Sequence, residues 1–88
     1  MVRDKNSLYH EIRHRLRETL RGKDDVVVTA ALYTLPLYQR RALMLCYGPE
    51  GDGLTQEQIG CRLGVTDRTV REYCRVGIET MAAQIWEN

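Results

Sequence analysis

Between positions 66 and 75 the chain places Thr66, Asp67, Arg68, Thr69, Arg71, Glu72 and Arg75, the densest set of hydrogen-bonding side chains with helical spacing in the sequence. A guanidinium is a planar fork of donors that fits the O6 and N7 acceptors of guanine, and such a pair discriminates against a wrong base by roughly 1 to 3 kcal/mol. Arg68 and Arg71 are therefore candidate base-edge donors, with Thr69 and Glu72 on the same surface. Glu72 suits cytosine N4 and equally suits an ion pair with Arg68 or Arg75, three or four residues away. Asp67 fits the positive start of a helix better than it fits DNA. Arg62, Thr66 and Arg75 are candidates for phosphate contacts, which position a domain without reading sequence. Arg40 and Arg41 form a second candidate grip on phosphate, a solvated pair being the equal alternative.

Other chemistry finds little support. The chain has no Ser-His-Asp order and no cluster with metal-ligand spacing, so neither catalysis nor a cofactor is expected. His10 and His14 are one helical turn apart but lack a third ligand nearby, so no metal is expected either. The glycine-rich stretch at 48–53 carries acids where a phosphate site would want Lys. Cys46, Cys61 and Cys74 are 15 and 13 residues apart, which suits neither a disulfide framework nor a metal knuckle. They are expected to be reduced and mostly buried.

The elements that must hold the polar set follow from periodicity and capping. Leu8, Ile12, Leu16 and Leu20 recur every four residues and predict an amphipathic helix ended by Gly22. Asp25 can cap a following helix from Val26 to Leu35, although its three consecutive valines would also suit a strand. Pro36 breaks the chain, a third helix spans about Leu37 to Tyr47, and residues 48–53 predict an irregular loop. Thr55 and Gln58 form a capping box for a fourth helix. Gly64 ends that helix, and the Thr66 hydroxyl caps a last one, whose buried face is Val70, Tyr73, Cys74, Gly77, Ile78, Met81, Ala82 and Ile85. Gly60 at the approach of two helices, Gly64 in the turn, and Ile59, Leu63, Val65, Val70 and Tyr73 as shared core are the requirements of a helix-turn-helix. The expected fold is all-α, a single small domain of about five helices, with residues 1–22 as an N-terminal basic helix and 23–88 as the helix-turn-helix unit.

Eighty-eight residues, 43% of them apolar, allow one modest core without Phe. No apolar run is long enough to span a bilayer and none resembles a signal peptide, so the expected location is the cytoplasm, away from membranes. A net charge of +1 is weak grounds for a nucleic-acid partner, and the basic excess lies in residues 1–23, whose seven Lys and Arg face three acids. Arg13, Arg15, Arg17 and Arg21 there could attract DNA or an acidic partner, or simply solubilise. Ile78, Met81, Ala82, Ile85 and Trp86 need a cover, either the stripe of the first helix or a second copy of the chain in a homodimer.

Leu35-Pro36, Arg40-Arg41-Ala42-Leu43, Tyr47-Gly48, Leu54 to Gly60, Arg62 to Thr66 and Val70-Arg71, in this order and spacing, resemble the fourth conserved region of bacterial sigma factors. The resemblance covers roughly residues 35 to 81. It implies a helical domain whose last helix reads double-stranded promoter DNA and whose surface docks on RNA polymerase. The run Val70 to Ala82, with Gly77 in its middle, is also similar to the phage late-gene antitermination proteins of the Q type. The other sigma regions are not among these motifs, which implies a free-standing relative, a transcription regulator of bacterial or phage origin. The alternative is an interaction module that docks on polymerase without reading bases. Asp67 and Arg68 stand where primary sigma factors usually have Arg then Glu, so the usual promoter element is not implied as the target.

Overall fold

A computed structural model describes residues 4–86, which form five α-helices and one 3₁₀ turn, with no strand among them. Helix α1 (Lys5–Leu20) starts at Asp4, whose carboxylate accepts the Ser7 N–H at 2.7 Å. Its stripe is buried at the centre, Ile12 and Leu16, and half-buried at the ends, Leu8 and Leu20. Helix α2 (Val26–Tyr33) resolves the strand-or-helix ambiguity in favour of helix and ends two residues before the expected Leu35. Asp25 caps it through the Val28 N–H, and helical rotation leaves only Val28 of the three valines in the core.

Helix α3 (Leu37–Tyr47) follows Pro36. The expectation of an irregular loop at 48–53 needs correction, because Pro49–Gly51 forms a 3₁₀ turn in which the Asp52 N–H donates to the Pro49 carbonyl at 3.1 Å. With the Gly51 N–H donating to the Gly48 carbonyl at 3.3 Å, two successive i to i+3 bonds build the turn, so glycines and a proline that exclude an α-helix do not exclude it. Helices α4 (Gln56–Leu63) and α5 (Asp67–Trp86) complete the chain.

The 20-residue α5 is the central element and packs against each of the other four helices. Ile12, Leu16, Val28, Leu32, Leu35, Leu43, Ile59, Val70, Ile78 and Met81 form one continuous core around it. The cover over Ile78, Met81 and Ala82 includes α1 of the same chain, which contributes Ile12 and Leu16. Two ion pairs fasten α1 further. Arg15 grips the Asp25 carboxylate at 3.0 and 3.1 Å, and Arg21 grips Asp52 at 2.6 and 3.1 Å.

The cysteines depart from expectation. Cys74 is buried and Cys46 half-buried, but Cys61 is exposed, because Ile59 and Gly60 turn inward on α4 and leave the next two positions facing solvent. Among the described residues no helix is long and apolar enough to cross a membrane.

Candidate nucleic-acid interface

Residues 55–75 are held together by local bonds that the residue types dictate. The Thr55 hydroxyl accepts the Gln58 N–H at 3.1 Å and the Gln58 side-chain carbonyl accepts the Thr55 N–H at 2.8 Å, completing the capping box of α4. Gly64 ends the helix at a φ of +76°, in the left-handed region that a side chain disfavours. The chain then folds back on α4, where the Val65 N–H donates to the Gly60 carbonyl at 2.9 Å. A Cβ on Gly60 would lie 2.5 Å from the Val65 carbonyl oxygen and 3.2 Å from the Thr66 carbonyl carbon. Only glycine admits this approach, and it fixes where α5 begins.

At that start the Thr66 hydroxyl accepts the Thr69 N–H at 3.2 Å and donates to the Thr69 hydroxyl at 3.0 Å. Ile59 and Val70 are buried beneath the turn, with Leu63, Val65 and Tyr73 half-buried around them. The inner face of α5 is thereby clamped, and Arg68, Arg71, Glu72 and Arg75 are exposed on its outer surface. Thr69 is half-buried.

The four exposed charges are not equivalent. Arg71 donates to the Asp67 carboxylate at 3.3 Å. Arg75 lies between two acids, bonded to Glu72 and, at 2.8 Å, to Glu79, and both carboxylates raise its pKa. Of the two arginines that could have held Glu72, the structure selects Arg75. Arg68 is exposed and has no hydrogen-bond or ion-pair partner among the described residues, so its fork of donors is uncommitted.

The remaining candidates separate. Arg62 of α4 and Arg41 of α3 are exposed and line one shallow recess with Met44, Leu45 and Glu50. Arg40 is half-buried, its guanidinium 4.8 Å from the ring centre of Tyr33 and its Nε enclosed without a hydrogen bond. Adjacent positions on α3 thus face different surroundings, one packed on α2 and one beside α4. Sequence reasoning did not single out Tyr38, whose ring meets that of Tyr73 at 4.8 Å and ties the start of α3 to α5. Nor did it single out Tyr33 and Leu37, which with Tyr38 leave large apolar side chains more than half exposed. Leu37-Tyr38 directly after a helix-starting proline was the available signal.

A capped helix, a turn set by two glycines and a second helix with its inner side clamped and cations on its outer side define the class, a helix-turn-helix protein. The family profile described as Sigma-70, region 4 matches residues 31–80, and the chain belongs to that family, whose domain serves DNA binding and interaction with RNA polymerase in transcription. The match begins within α2 and ends within α5, leaving α1 outside it. Comparisons with curated proteins and with solved structures give no significant match.

Proposed function

We propose that this chain is a sequence-specific regulator of transcription, cytoplasmic and not an enzyme, that binds double-stranded DNA through α5 and also docks on RNA polymerase. The sigma-like unit is taken as residues 23–88, of which the family profile matches 31–80, and the segment 1–22 adds helix α1 to the same folded body. Positions 1–3 and 87–88 of these bounds lie outside the described residues. The base-reading set is Arg68, Thr69, Arg71 and Glu72, led by Arg68. Arg62, Thr66, Arg75, Arg40 and Arg41 supply phosphate contacts, with Arg41 and Arg62 better placed than Arg40. The observation that carries the reading is the exposed Arg68 guanidinium, without a partner among the described residues, on the outer side of a helix whose other side is clamped by α4. Guanine presents the matching pair of acceptors in the major groove.

The test is selection of bound duplexes from a random pool at two salt concentrations, followed by affinity for the selected duplex. A preferred sequence should emerge, and Arg68→Ala should relax the preference while leaving the fold intact. Equal binding to all sequences, before and after the change, would overturn the reading.

A second reading is favoured by the exposed Tyr33, Leu37 and Tyr38 and by the engagement of Arg71 and Arg75 with acids. In it the domain docks on polymerase, as an antiterminator or sigma mimic does, without reading bases. Retained polymerase binding, with duplex affinity no better than a random competitor at moderate salt, would select it.

A further inference from the structure

Cys46 lies near the end of α3 and Cys74 in the first half of α5, 28 positions later, yet their Sγ atoms are 3.1 Å apart. Cys46 is half-buried, the more exposed of the two, whereas Cys74 is buried in the core. The amide of Gln56 lies 3.9 Å from the Cys46 sulfur as a further weak donor. We propose that these two thiols are a modification site, closed by hydrogen peroxide into a disulfide that ties α3 to the DNA-facing helix α5. A disulfide is about 2.05 Å long, so closure draws the sulfurs together by about 1 Å. The ring so formed, from 46 to 74, would contain the whole of α4 and the turn into α5.

The two cysteines have distinct roles. The Cys74 thiol donates toward Cys46, which lowers the pKa of Cys46 and, with burial, raises that of Cys74. Cys46 is thus the thiol that ionises and meets the oxidant. Its thiolate attacks one peroxide oxygen and the O–O bond breaks. Hydroxide leaves, takes up the proton that Cys46 released, and becomes water. The Cys74 sulfur then loses its proton and attacks the resulting sulfenic sulfur, displacing hydroxide, which leaves as water with that proton. Two thiols and one peroxide give one disulfide and two waters. Cys74 shares the buried side of α5 with Val70 and Ile78, so the bond forms behind Arg68 and not over it. This site does not depend on DNA being read, and its test needs no DNA.

The experiment treats the Cys61→Ser chain with hydrogen peroxide and measures intact mass, followed by peptide mapping under non-reducing conditions. The expected product is monomeric, lighter by about 2 Da, the two lost thiol hydrogens, and has a peptide that joins positions 46 and 74. Its proteolysis should be roughly tenfold slower or more than that of the reduced chain, because the cross-link restricts the unfolded state. Dithiothreitol should restore the original rate. Cys46→Ser and, separately, Cys74→Ala should each abolish the mass loss, the second variant serving where a buried hydroxyl would unsettle the core. Cys46 halting as a sulfenic or sulfinic acid, with Cys74 still open to alkylation after unfolding, would overturn the proposal, as would disulfide-linked dimers in place of the internal bond.

Discussion

Residues 1–23 hold seven Lys and Arg and the first half of α5 only three, Arg68, Arg71 and Arg75. In the first region, however, Arg15, Arg21 and Lys23 are matched by Asp25, Asp52 and Glu18, and Arg17 lies 5.9 Å from the ring centre of Tyr47. Arg15, Arg17 and Arg21 fasten α1 to the rest of the molecule, while the Lys23 pair closes locally on the end of α1. At the start of α5 the count is smaller, but Arg68 is unpartnered among the described residues and projects from a clamped helix. A cation is available to a ligand only to the extent that no carboxylate already holds it, so charge summed along the sequence does not by itself measure the cations on offer at either end.

The largest effect should come from removing the clamp that makes the second region what it is. Gly60→Val drives a side chain into the Val65 backbone, which cannot swing aside, and should destabilise the domain by about 3 kcal/mol, read as a lower urea midpoint. An unchanged midpoint would mean that the turn does not depend on this approach. Next comes Arg68→Ala, expected to weaken binding to the selected duplex by about 5- to 100-fold. Arg71→Ala should do less, under about fivefold, because its donors must first leave Asp67. If Arg71 proved the more damaging of the two, partner-free exposure would not be the governing property.

Asp25→Ala addresses the other side of the contrast. It removes a helix cap and the acceptor of Arg15 together, and should lower stability by about 1 to 2 kcal/mol at neutral pH with duplex affinity unchanged. The Arg15 guanidinium and the Val28 N–H hold the Asp25 pKa below its ordinary 3.8. The stabilisation is therefore fully present above that value and is lost as the pH falls through the lower folded one. Acid titration of unfolding should accordingly show the wild-type and Asp25→Ala curves converging below the ordinary carboxylate range. The smallest effect is expected for Arg17→Ala, which should change duplex affinity less than about twofold and leave the slope of log affinity against log salt nearly unaltered. A slope shallower by the equivalent of a whole phosphate would return the N-terminal helix to the interface.

Much of this architecture was legible from residue types because its determinants are local. Thr55 with Gln58, Asp25 with Val28 and Thr66 with Thr69 each act across three residues, a reach that sequence spacing fixes directly. Gly64 was legible for the same reason, since its left-handed angle belongs to a single residue. The valines at 26–28 were ambiguous because a short apolar run has no period of its own. Asp25 and the core together resolve it, burying Val28 alone.

Sequence by itself thus determined most of the helices, the caps at Asp25, Thr55 and Thr66, the glycine turn and the set of polar residues carried by α5, all of which follow from interactions within about one helical turn. Which of those residues are held follows from pairs three and four positions apart within α5, Arg71 with Asp67 and Arg75 with Glu72 and Glu79, whereas tertiary structure alone decided the longer-range encounters. It joined Arg15 to Asp25 and Arg21 to Asp52, laid Arg40 on Tyr33, set Arg41 beside Arg62 and brought Cys46 to Cys74. Those encounters join positions from 7 to 31 residues apart, and their partners are chosen by how whole helices pack around α5, which no local spacing encodes.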